Sequence, residues 1–157
     1  MKRILFCFLL MLFQLINFAQ GTPESLDWSW MSYSLDQQIN LKDFVVKKKS
    51  GLIQTITPKS DRRYTLEIDE SNSVNSITYH FDDGTDMFEV QMKVMQELGD
   101  FHQESNEGDF LIETYRFRKG NDTFGLNELE ITFISNDEED TFLFLLVLAQ
   151  RTLIFSQ

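Results

Sequence analysis

An α+β domain is what this sequence predicts: a mostly antiparallel sheet of about five to seven strands packed against one main amphipathic helix at residues 86–98. Three observations carry the prediction. Tyr64, Leu66 and Ile68 alternate with Thr65 and Glu67, and Ile77, Tyr79 and Phe81 alternate with Thr78 and His80, which is the period of strands with one wet face. Met87, Phe88, Val90, Met92, Val94, Met95 and Leu98 then give one segment a broad apolar face at helical spacing. Beyond it, Phe110–Arg118 and Leu126–Ile134 flank Lys119-Gly120-Asn121-Asp122, so sheet follows helix.

Taken in order, Met1 to Ala19 reads as a signal peptide. Lys2 and Arg3 supply the positive start, Ile4 to Phe13 the apolar run, and Asn17-Phe18-Ala19 a small-residue cleavage site. Gln14 and Asn17 interrupt the apolar stretch before it reaches the ~20 residues that a spanning helix needs. The expectation is therefore an exported protein, secreted or periplasmic, whose mature chain is a single domain at residues 20–157 with no transmembrane anchor. Cys7 lies inside the apolar run behind bulky Phe6, a poor position for lipid attachment, and no other cysteine exists. Stability in an oxidising compartment must then come from packing, and thiolate metal sites are excluded.

Thr22-Pro23 has the form of a helix start, and Trp28, Met31 and Leu35 recur at helical spacing, which predicts a short N-terminal helix to about Gln38. The alternation of Leu26, Trp28 and Trp30 supports an extended segment instead. Phe44–Lys48 and Leu52–Thr57 form a hairpin turning at Ser50-Gly51. Asp86 serves as the cap of the main helix with Glu89 as its capping-box partner, and Gly99 stops it. Asn136–Asp140 makes an acidic turn into the uninterrupted apolar run Phe142–Ala149, which must be covered on both faces as in a central strand. A helix is the rival for residues 141–149, since leucine suits both.

Charge is divided along the chain. Loss of Lys2 and Arg3 with the signal peptide takes the net charge from −11 to −13, yet Lys42, Lys47, Lys48, Lys49, Lys59, Arg62 and Arg63 face only Asp43 and Asp61 within residues 42–63. Such a dipole can orient an encounter with a partner, and lysines on a hairpin also discourage edge-to-edge association. A net charge of −13 speaks against nucleic acid, because phosphate contacts need a broad basic surface.

No Gly-rich phosphate loop, nucleophile-elbow serine or His-Glu metalloprotease helix occurs, and no cofactor is implied. His80 and His102 would need converging carboxylates to do acid/base or metal chemistry. Asp82-Asp83-Gly84-Thr85-Asp86 and Asn136–Asp140 lack the ligand spacing of an EF-hand, and turns and caps account for them. Candidate partner-binding residues are Lys47, Lys48, Lys49, Arg62 and Arg63, with Trp28 and Trp30 as aromatic anchors that equally suit a core. Met87, Met92 and Met95 would line an adaptable apolar groove or fill the space under the sheet.

The run from Asp86 to Ala149, a helix closed by Leu98-Gly99, a polar loop and a strand meander, resembles the helix-then-sheet unit of small bacterial envelope proteins of the beta-lactamase-inhibitor-like and SmpA type. That resemblance implies protein binding rather than catalysis. Three functions follow as expectations: an exported, non-enzymatic module that binds another protein; a carrier holding a small molecule or glycan between helix and sheet; and a hydrolase with carboxylates gathered by folding near Asp82, Asp109 and Asp137.

Overall fold

The computed structural model describes residues 26–118, 127–136 and 138–150. Eight strands form one antiparallel sheet: β1 (Phe44–Ser50), β2 (Ile53–Pro58), β3 (Tyr64–Ile68), β4 (Val74–His80), β5 (Gln103–Glu107), β6 (Phe110–Arg118), β7 (Asn127–Asn136) and β8 (Thr141–Gln150). Among the described residues one α-helix, α1 (Gly84–Leu98), connects β4 to β5. The spatial order β1-β2-β3-β4-β8-β7-β6-β5 shows two four-stranded meanders joined where β4 pairs with β8. Because β4 ends at the sheet centre and β5 begins at the far edge, the chain must cross the second meander, and α1 is that crossing.

The α+β class therefore holds, while the strand number exceeds the expected range by one. The additional strand is β5, whose sequence Gln-Glu-Ser-Asn-Glu has no apolar alternation; it forms by backbone pairing with β6 at the sheet edge, where both faces stay wet. At the turn after β1, Gly51 takes φ 60°, which a glycine adopts without steric penalty. The apolar run at 141–149 is strand, and it occupies the centre between β4 and β7. A leucine-rich segment suits either state; ten registered pairs with β7 and five with β4 decide it.

Two local readings need correction. Asp83, not Asp86, caps α1: its Oδ1 accepts from the N–H groups of Thr85 at 2.8 Å and Asp86 at 3.0 Å, and Gly84 already lies in the helix. Asp83 and Asp86 repeat the cap spacing one turn earlier, so the Asp-rich segment contained two candidate starts. Gly99, with φ 81°, ends the helix as expected, its N–H donating to the Met95 carbonyl at 2.8 Å. The second correction concerns residues 26–38, which form no helix. They run as an irregular strap whose odd and even positions alternate in burial, tied to the sheet by a bridge between Gln38 and Ser73. Thr22-Pro23 and the segment at 1–19 lie outside the described residues.

The core lies on one face only. Phe44, Ile56, Tyr64, Leu66, Ile77, Tyr79, Phe144, Leu146, Ile131, Phe133 and Tyr115 share it through cross-strand register. Met87, Gln91, Val94 and Leu98 of α1 cover the β6–β8 half. The strap covers the other half: Trp30 contacts Tyr79, Phe81 and Phe144 at ring-centroid distances of 5.7, 6.1 and 5.3 Å, and Tyr33 lies 5.0 Å from Tyr64. Among the described residues, no helix is long and apolar enough to cross a membrane.

Candidate functional site

The basic residues gather at one side of the sheet. β1 is an edge strand, and a bulge between Val46 and Lys48 sets Lys47 out of register, so that Lys48 pairs with Thr55 and Lys49 with Gln54. Val45, Val46 and Leu52 are 44%, 49% and 64% exposed beside them, unusual for aliphatic side chains on a strand. The turn from β2 to β3 brings Lys59, Arg62 and Arg63 to the same side. A shallow cleft of about 220 Å³ opens there between Val45, Lys47, Thr57, Pro58, Lys59 and Arg62.

That turn is built to hold its cations in place. Asp61 accepts from the Arg63 N–H at 3.1 Å, from its Nε at 3.0 Å and from its Nη2 at 2.9 Å, which closes the loop on itself. These bonds hold the Asp61 carboxyl below its ordinary pKa, and they raise that of Arg63. Arg63 also reaches Asp82 at 3.5 Å and lies over the Tyr79 ring at 5.3 Å. Its charge is thus spent internally. Lys59 donates from Nζ to the Lys42 carbonyl, whereas Lys47, Lys48, Lys49 and Arg62 form no ion pair among the described residues.

The opposite side is acidic. Glu104 and Glu107 on β5 and Asp109 in the turn that follows are exposed. Arg116 offsets Glu130 at 2.9 Å, the cross-strand pair that their positions on β6 and β7 predict.

Trp28, whose ring lies 6.0 Å from that of Phe144, and Trp30, through the ring contacts above, serve the core, and both also line a cleft of about 360 Å³ with Val90, Lys93, Val94 and Glu97. The three helix methionines do not act together: Met87 is buried, Met95 half-buried and Met92 exposed on the outer face. Met87 does line a second cleft of about 360 Å³ under the start of α1, with Phe88, Gln91, Leu111, Glu113 and Phe142. Within it Gln91 Nε2 donates to Glu113 Oε2 at 2.5 Å. Burial pushes the Glu113 carboxyl above its ordinary pKa despite that bond. Glu113 is an acid that the sequence reading passed over. The signal was present, because Leu111, Tyr115 and Phe117 place position 113 on the inward face.

Of the expected hydrolase carboxylates, Asp82 lies near Arg63, Asp109 is exposed on β5–β6, and Asp137 is outside the described residues. No group of three or more His, Cys, Asp or Glu able to hold a metal ion is found among the described residues. His102 Nδ1 lies 3.0 Å from the Arg116 backbone nitrogen and 3.1 Å from the Arg116 carbonyl oxygen. No family model matches the chain, and comparison with curated proteins and with solved structures finds no similar protein.

Proposed function

We propose that this is an exported, non-enzymatic module that binds an acidic protein surface through its β1–β2 side. One observation supports the reading above the rest: Lys47, Lys48, Lys49 and Arg62 have no carboxylate partner among the described residues and stand along an edge strand that exposes Val45 on one face and Val46 on the other, with Leu52 in the adjoining turn, on a molecule that is otherwise acidic. Solvated cations that only kept the edge strand from pairing would not need three aliphatic neighbours in the water. Apolar contact supplies affinity, and the clustered charge steers the encounter.

Reversal of Lys47, Lys48 and Lys49 to glutamate tests this. With the wild-type chain immobilised, partner capture is expected at low salt and release near ~1 M, where the screening length falls to ~3 Å. The triple variant is expected to lose capture. Retention equal to that of the wild type would overturn the reading.

The cleft under α1 favours a second reading, a small-molecule carrier. Its volume of about 360 Å³ lies at the lower end of the ~300–1,000 Å³ of ligand pockets, and it combines an apolar wall with one carboxyl–amide pair. Native mass spectrometry of protein purified gently from its producing cells distinguishes the two: a bound small mass supports the carrier, and a bare chain counts against it.

A further inference from the structure

The cleft under the start of α1 is apolar apart from its deepest acid, and no described residue sets a cation against that acid. Leu111, Ser135 and Phe142 pair in one cross-strand row along β6, β7 and β8, with Met87 and Phe88 of α1 beside it. Gln91 donates to Glu113 Oε2, while Oε1 accepts from no described residue. No buried side-chain oxygen among the described residues lacks a partner, so Oε1 is open to solvent. A second carboxylate stands next to it. Glu104 on β5 is directly opposite Glu113 in the register and on the same face, where side chains begin ~4.5–5.5 Å apart and like charges repel. Burial, and with it the Glu104 charge, raises the Glu113 pKa, so its charged form is short of a counter-ion. The neighbouring cations are committed elsewhere: Lys93 of α1 lines the cleft on the strap side, and Arg116 pairs with Glu130 on the opposite face of β6.

We propose that this cleft takes a small organic ammonium ion with an apolar body, the ammonium between Glu113 and Glu104 and the body against Met87, Leu111 and Phe142. The inference rests on the carrier reading of the cleft and gives that ligand its chemical class. Charge complementarity selects the class. An anionic ligand would meet two carboxylates, and a neutral one would leave their repulsion unrelieved. A bare metal ion fits poorly, because a hard cation such as calcium takes ~6–8 oxygens and the wall here is mostly apolar. Phe88, 57% exposed at the cleft, adds an aromatic ring of the kind that ammonium groups approach.

NMR titration of the labelled chain with 2-phenylethylamine tests this, with 2-phenylethanol as an uncharged probe of the same shape. The amine is expected to shift the signals of Met87, Gln91 and Leu111 and to bind at least ~10-fold more tightly than the alcohol, the gain of a hydrogen bond to a charged group. Glu113→Gln keeps the cleft and the Gln91 contact, and should bind the two probes about equally; Glu104→Gln should reduce the preference in part. A diffuse attraction of amines to an acidic protein would survive the loss of one charge, so a preference that persists in Glu113→Gln would overturn the proposal. Equal binding of amine and alcohol by the wild type would also overturn it and leave a carrier of neutral apolar ligands. If neither probe shifts the cleft signals, the ammonium site is overturned, and a bare chain in the native mass spectrum would then remove the carrier reading as well.

Discussion

Glu113 shows at the residue scale how far a single inward acid departs from the rest of the core. Its carboxyl is held above the ordinary value of 4.5 by burial, with the Gln91 bond and the nearby Glu104 charge acting in opposite directions. The folded state therefore binds this proton more tightly than the unfolded chain does. As pH falls from above the raised pKa towards 4.5, the folded state takes up more protons and Glu113 adds stability; above that window its charge is a liability. Asp61 and Asp69, whose pKa values hydrogen bonds lower, act in the opposite sense and lose stability on acidification. Glu113→Gln keeps the contact with Gln91 and removes the charge. The variant is expected to have a higher urea midpoint than wild type at neutral pH and to lose that advantage in acid; equal midpoints at neutral pH would contradict the burial argument. Gly84 is the second informative residue, for a Cβ there would come within 2.8 Å of the Phe142 ring. Gly84→Ala is expected to destabilise by about 1–3 kcal/mol, the usual range for overpacking, although alanine is the better helix former. A rise in the urea midpoint would show that the ring moves aside freely.

Elements in this molecule are decided by what they pack on. α1 has its apolar stripe in the sequence, and its start depends on one side chain that satisfies two N–H groups. Asp83→Ala is expected to destabilise by about 1 kcal/mol and Asp86→Ala by less; the reverse order in thermal denaturation would restore Asp86 as the cap. The strap at residues 26–38 carries the aromatic contacts that close the β1–β4 half, and the Trp30 ring touches three others. Trp30→Ala is expected to destabilise by about 3 kcal/mol. Near-ultraviolet circular dichroism gives an independent check, since the tryptophan signal should fall. The helical spacing of Trp28, Met31 and Leu35 misled: the segment alternates in burial instead, with even positions inward as far as Trp30 and odd positions inward from Met31 to Ile39. β5 left no trace in the pattern, since an edge strand with two wet faces needs backbone partners and no apolar side chains.

The whole molecule is two meanders that share one seam. β4 and β8 pair over five residues, and each meander ending there would expose an unpaired central edge without the other. The two halves should therefore unfold as one unit: chevron and equilibrium data are expected to fit two states, and a fragment ending at His80 is expected to aggregate rather than fold. A soluble, cooperatively folding fragment would contradict the shared seam. The same arrangement separates charge, with the basic β1–β2 side and the acidic β5–β6 side at opposite edges. Neither the sign of each segment nor its position was hidden in the sequence; which edges they would occupy was.

By itself the sequence determined the α+β class, six of the strands, the main helix and its glycine stop, because period-2 and period-3.6 patterns and turn residues are local properties of the chain. It also determined the opposed charges of residues 42–63 and the rest of the chain. Tertiary structure alone decided the strand order, the fifth strand, the strap over the core and the contact of Gln91 with Glu113, because each depends on contacts between residues far apart in sequence. The same holds for the place of β8: the run Phe142–Ala149 suits strand or helix by composition, and its pairs with β4 and β7 put it at the centre of the sheet.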